Sequence, residues 1–145
     1  MLFTVALKDN KAFNRCFKTG NYCSCSMVTA YFTQNGTAQS RVGISVSKKV
    51  GNAVARNRAK RIIRAAYRLH ESSFPIGCDI VFVAREDING KKEQDISAFI
   101  EKRLLPVLAE PEAFKRRSGN KRRKKADNGG RSSNTAKPEK SADKQ

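Results

Sequence analysis

The chain has 145 residues, with 30 Lys or Arg against 13 Asp or Glu and a net charge of +17. That length is one domain with room for a tail, and so large a basic excess points to a polyanionic partner: nucleic acid, an acidic membrane surface or an acidic protein. No membrane span is expected, since no apolar run is long enough; no zinc centre is expected, since Cys16, Cys23, Cys25 and Cys78 form no CxxC pair and only His70 is there to help; and no secretory signal is expected, since Met1–Leu7 is short and lacks a charged leader. A cytoplasmic protein with reduced thiols is expected.

Asp9 or Asn10 caps a short helix to about Lys18, closed by Gly20, with Phe13 and Phe17 on one face. Residues 21–33 supply one or two strands, with Gly36 in the turn. Arg41–Ser47 alternates Val42, Ile44 and Val46 against Gly43, Ser45 and Ser47, the pattern of a half-buried strand. Gly51-Asn52 makes a turn, and Asn52 caps a helix reaching about His70, without the Glu of a capping box. After a loop holding Pro75 and Gly77, Asp79–Arg85 runs Ile80, Val81, Phe82, Val83, Ala84 without a polar break, as a strand buried on both faces does. Asp95–Leu108 is amphipathic through Ile96, Phe99, Ile100, Leu104 and Leu108, with Pro106 shortening its end. The order α-β-β-β-α-β-α predicts an α+β fold, a two-layer sandwich of one four-stranded sheet with three helices.

Residues 1–114 make this domain. Residues 115–145 carry 12 basic and 3 acidic residues with no aromatic, Leu, Ile or Val, and read as a disordered basic tail. Removing that tail is expected to leave the fold intact and lower non-specific affinity for a nucleic-acid partner.

Between Asp9 and Glu71 no acid occurs, while 12 Lys or Arg do. On a helical wheel of Asn52–His70, the residues Ala55, Ala59, Ile62, Ala66 and Leu69 form an apolar seam. Arg56, Lys60, Arg64 and Arg68 step by four along the other side, joined by Asn57 and Arg61, with Arg58 at the border. A solvated helix pairs such cations with Glu one turn away; here they stand uncompensated, as a phosphate-binding face requires. Lys48, Lys49 and Gly51 lie just ahead of the helix N-terminus, where backbone N–H groups attract phosphate. Phe13, Phe17 and Tyr31 offer either stacking faces for unpaired bases or core packing; Phe82 and Phe99 read as core.

Protein-borne catalysis has poor support. Asp79, Glu86 and Asp87 are the nearest to an acidic cluster, but a strand length separates Asp79 from the other two, and a two-metal nuclease needs convergent carboxylates. His70, at the end of its helix, reads as a partner of terminal carbonyls. No P-loop, nucleophile elbow or metal-ligand helix is found. A ribosomal or RNA-chaperone protein would account for the charge, and a protein-only nuclease would use Asp79 with Glu86 or Asp87.

The run from Arg41 to Arg64, RVGISVSKKVGNAVARNRAKRIIR, resembles the signature of the bacterial ribonuclease P protein family. Arg56-Asn57-Arg58, followed by Lys60-Arg61 and Arg64, is similar to its RNR motif. The likeness spans about residues 7–108, including Phe13, Phe17, Tyr31 and the strand Asp79–Arg85, and departs at Ala65, where many members carry Glu or Gln. It implies a protein subunit of an endoribonuclease that matures the 5′ end of tRNA. In that scheme the RNA subunit performs the hydrolysis with bound Mg²⁺, and no obligate protein partner is needed. It implies RNA-subunit contacts through Lys48, Lys49, Arg56, Asn57, Arg58, Arg61, Arg64 and Arg68. It implies a cleft for the 5′ leader of precursor tRNA built from Phe13, Phe17, Tyr31 and Ser45, with Lys60 nearby, and a left-handed crossover through the RNR helix where general topology rules predict a right-handed one.

Overall fold

The computed structural model describes residues 4–110 and 112–115; the tail expected over 115–145 lies outside them but for Lys115. A short strand β1 (Thr4–Ala6) leads into α1 (Asn10–Thr19), then β2 (Asn21–Ser24), β3 (Val28–Gln34), β4 (Ser40–Val46), α2 (Ala53–His70), β5 (Cys78–Ala84) and α3, which starts at Glu93. The sheet order is β1-β4-β5-β3-β2. β1, β4 and β5 are parallel, and β3 and β2 antiparallel. The parallel neighbours β4 and β5 are joined by the crossover through α2.

The sheet thus has five strands rather than the expected four. The additional one, β1, is three residues long, too short to show a period of two. Pairing with β4 creates it, and Leu7 N–H extends the pairing to Val42 C=O at 2.8 Å. The two-layer expectation describes the main body, the sheet with α2 and α3; α1 covers the second face. On β5, Cys78, Ile80, Phe82 and Ala84 enter the larger core beneath α2 and α3, while Val81 enters a smaller core with Leu7, Ala12 and Cys16 beneath α1. The apolar run Ile80–Ala84 is what a strand covered by helices on both sides demands.

The local signals act as chemistry predicts. Asp9 caps α1 by accepting from Lys11 N–H at 3.1 Å, and Asn52 caps α2 by accepting from Ala55 N–H at 3.0 Å. Gly20 ends α1 because the chain there passes against β3: a Cβ would lie 2.6 Å from the Cys16 carbonyl oxygen and 2.7 Å from that of Phe32. The last helix does not stop short at Pro106. It begins at Glu93, two residues before the expected start, and runs to Leu108 through a π-turn at Ile100–Leu104. Proline cannot donate and crowds the preceding turn, and the wider turn just ahead of Pro106 relieves this, with Leu105 N–H donating to Ile100 C=O. It also corrects a phase error. Ile96, Ile100, Leu104 and Leu108 are spaced by four and would drift by about 120° in an ideal helix, yet all four are buried.

The α2 seam differs from the wheel. Ala59, Ile63, Ala66 and Tyr67 are buried, Ala55 and Ile62 are half-buried, and Leu69 is exposed. The helix is rolled by roughly 60° relative to the expected seam. Tyr67 decides this: its ring lies 4.6 Å from Phe74 and 6.2 Å from Phe82, and its hydroxyl hydrogen-bonds Thr4 Oγ1 at 3.0 Å. A buried aromatic with a satisfied hydroxyl outweighs one leucine.

Cys16, Cys23 and Cys78 are buried free thiols, and Cys25 is partly exposed. Burial, reinforced by the Asp79 charge, pushes Cys16 and Cys78 up to about 12, and burial pushes the Tyr67 phenol up to about 12 as well. Each of these groups holds its proton more tightly folded than unfolded. Their contribution to stability is therefore complete below their unfolded pKa values and is lost as pH rises through about 9 to 12. We expect the chemical-denaturation midpoint to fall steadily above pH 9. At pH 8 iodoacetamide should label Cys25 in the native chain and reach Cys16 and Cys78 only on unfolding, as peptide mass mapping would show; native labelling of Cys16 would contradict the packing of α1.

Candidate RNA interface

The face of the sheet beneath α1 follows from strand alternation and register. Gly43, Val81, Tyr31 and Tyr22 form one row across β4, β5, β3 and β2; Ser45, Val83, Thr29 and Ser24 form the next. α1 sets Ala12 and Cys16 against the sheet, which turns Phe13 and Phe17 to one flank. The Phe13–Phe17 centroids are 6.4 Å apart, Phe17–Tyr31 5.1 Å and edge-on at 85°, and Tyr31–Tyr22 5.6 Å. Phe13, Phe17 and Tyr31 are half-buried, and Tyr22 is exposed. Gly43 makes room for this: a Cβ there would fall 2.5 Å from Phe13 Cζ. The core and stacking readings of the rings are therefore compatible: one side of each ring packs on the protein and part remains open.

The Ser45 row continues the floor beyond the rings, with Arg85 Nη1 3.4 Å from Thr29 Oγ1. Further along, a cavity of about 430 Å³ opens among Ser26, Ser47, Lys49, Ala84, Arg85, Glu86 and Asp87. Phe13, Phe17, Tyr31 and Ser45 thus share one face. Lys60 does not join them: it is half-buried on the flank of α2, which packs on the opposite face of the sheet. Tyr22, left without a role by the sequence, extends the ring series; its pairing opposite Tyr31 is visible only once the register is known.

On the other side, α2 exposes Asn57, Arg61, Arg64 and Arg68, with Arg56 and Lys60 half-buried along one edge of that arc. Among the described residues none of the cations of α2 is paired with a carboxylate. Arg58 differs from its neighbours. It is half-buried on the far edge and donates to the Lys91 carbonyl, tying α2 to the loop after β5. Asn89 Nδ2 makes a second tie to Val50 C=O at 2.6 Å. Lys48 and Lys49 are exposed on a single helical turn, Lys48–Val50, ahead of α2; within that turn Lys49 N–H donates to Ser47 Oγ at 3.3 Å.

The acidic residues are separated. Asp79 is fully buried and accepts four hydrogen bonds: Arg41 Nε and Nη2 at 2.8 Å each, Arg15 Nη2 at 3.0 Å and Asn35 Nδ2 at 2.9 Å. Its oxygens are engaged by the protein, whereas Glu86 and Asp87 are exposed at the other end of β5. Among the described residues no three His, Cys, Asp or Glu converge as a metal site. His70 reaches across to Ser97 Oγ at 2.7 Å rather than serving its own helix end. No helix among the described residues is long and apolar enough to cross a membrane.

The ribonuclease P family model matches residues 3–107. The ribonuclease P protein component of Lachnoclostridium phytofermentans is 42% identical over 93 residues, covering 64% of this chain and 80% of that protein. That of Brevibacillus brevis is 42% identical over 110 residues, covering 75% and 84%. The RNase P protein of Staphylococcus aureus superposes with a TM-score of 0.60 at 35% identity, over 66% of this chain and 88% of that one. The Thermotoga maritima protein gives 0.59 at 32%, over 71% and 94%. A sheet with a ring-lined face on one side, an unpaired cationic helix on the other, and a match through nearly all the described residues place this chain in the bacterial ribonuclease P protein family.

Proposed function

We propose that the chain is the protein subunit of a ribonuclease P ribonucleoprotein that removes the 5′ leader of precursor tRNA. The exposed face of α2, with Lys48 and Lys49 ahead of it, binds the catalytic RNA subunit. The groove of Phe13, Phe17, Tyr31 and Ser45, lengthened by Tyr22, holds the single-stranded leader. Arg56 and Lys60, at the edge of the basic arc, neutralise phosphates passing between the two surfaces. Arg58 acts chiefly as a tie to Lys91. Hydrolysis belongs to the RNA subunit, and the Mg²⁺ it needs is held mainly by RNA.

The observation that carries this reading is the separation of two different surfaces by one sheet. Rings with open faces suit unpaired bases, each stacked base contributing about 1–3 kcal/mol with little sequence demand. Unpaired arginines suit phosphates of a folded RNA, which are recognised largely by charge and shape. A general RNA chaperone would need only the second.

The test is cleavage of precursor tRNA at low Mg²⁺ by the bacterial RNA subunit with and without the purified chain. We expect strong stimulation by the chain and no cleavage by the chain alone. Cleavage without the RNA subunit would instead support a protein-only nuclease, and absence of stimulation would refute the proposal.

A further inference from the structure

We infer that Arg15 and Asp79 are positioning residues that fix the roll of α1 over the sheet and so set the shape of the ring-lined groove; the inference rests on the leader-binding reading of that groove. α1 has ten residues, short of the length at which an isolated helix is stable, so its placement depends on what it touches. It meets the sheet through the small side chains of Ala12 and Cys16, with Phe13 and Phe17 packed along one flank, so the position of the two rings follows the roll of the helix. On a wheel, Arg15 lies on one flank of that contact line and Phe13 and Phe17 on the other. A helix held at its base and pinned on one flank cannot roll without carrying its opposite flank along.

The pin is rigid. Asp79 is fully buried on β5, two residues before Val81 of the groove row, and is already held by the two-pronged contact of Arg41 from β4 and by Asn35 from the β3–β4 turn. That pairing alone neutralises the carboxylate. Arg15 is a second cation on the same oxygen at 3.0 Å, with its side chain 45% exposed. A partner so solvated adds little stability, but it restrains the direction of α1. The effect to look for is therefore on groove geometry rather than on melting.

Holoenzyme reconstituted from the RNA subunit and the full chain is titrated with two precursor tRNAs, one with a long leader and one with a single leader nucleotide. The variants are Arg15→Ala, Arg15→Lys and Phe17→Ala. For Arg15→Ala we expect Kd for the long-leader substrate to rise about five- to tenfold, with kcat at saturation within about twofold of the parent. The single-nucleotide substrate and RNA-subunit affinity should be unchanged, and Arg15→Lys, which keeps one donor in reach of Asp79, should recover part of the loss. Should Arg15→Ala melt well below the parent, the same leader-specific loss, smaller in size, is required of Arg15→Lys. Equal losses on both substrates would show a merely structural role and overturn the inference. So would a leader-specific loss in Phe17→Ala with none in Arg15→Ala. If Phe17→Ala shows no leader-specific loss, the groove assignment itself fails and the inference falls with it.

Discussion

Replacing Arg61, Arg64 and Arg68 together by alanine is expected to weaken binding of the catalytic RNA subunit by about two to three orders of magnitude near physiological salt. The three side chains lie on the exposed arc of α2, away from the buried Ala59, Ile63, Ala66 and Tyr67, so the fold should survive, and alanine is the better helix former. Each guanidinium lost from a phosphate contact should lower the slope of log affinity against log salt by about one unit. The decisive measurement is therefore the slope over a series of KCl concentrations, because a packing defect would lower affinity at every salt concentration without flattening the line. An unchanged slope would mean that these arginines face solvent in the complex. Arg58→Ala should behave differently. Its guanidinium is held by the Lys91 carbonyl, so the main loss should be in the anchoring of the loop after β5, seen as faster amide exchange around Ile88–Lys91, with a smaller change in salt dependence.

Much of this arrangement is visible in the sequence because it rests on short-range periodicity. The alternation Val42/Gly43/Ile44/Ser45 tells which residues share a face before the partner strands are known, and it sets Ser45 on the face opposite the larger core. The acid-free window from Asp9 to Glu71 is the sequence signal behind the proposed RNA contacts. What the sequence conceals is non-local. Ile62 and Ile63 are adjacent apolar residues, and either suits a seam; the choice depends on Phe74 and Phe82, which Tyr67 meets only in the folded chain. β1 exists through its pairing to β4. The π-turn ahead of Pro106 depends on a four-residue apolar spacing that an ideal helix would carry off the core. Lys60 looks like a neighbour of the aromatic group by family resemblance, while the sheet stands between them.

The same holds for Asp79, which the sequence offers only as a weak catalytic candidate. Its partners Arg15, Asn35 and Arg41 lie far off in the chain, and they convert a carboxylate on a buried strand from an apparent functional group into the joint between α1, β4 and β5. Asp79→Ala should accordingly destabilise the fold more than any of the other single substitutions, by about 3–5 kcal/mol, because it leaves two guanidiniums facing each other without a counter-charge. Arg41 has a side chain only 29% exposed, so water cannot fully replace the lost carboxylate. The cost belongs to the broken pairing more than to the absence of the charge. Joint replacement of Arg15, Arg41 and Asp79 by Met, Met and Leu removes all three charges and fills the space, and should cost far less than Asp79→Ala alone, since well-packed apolar groups can match a buried ion pair. Urea denaturation of the two proteins decides the point. If the triple variant is destabilised as much as Asp79→Ala, the network is a net source of stability. If it recovers most of the loss while its leader-dependent binding stays impaired, stability and positioning are separate properties of the same carboxylate.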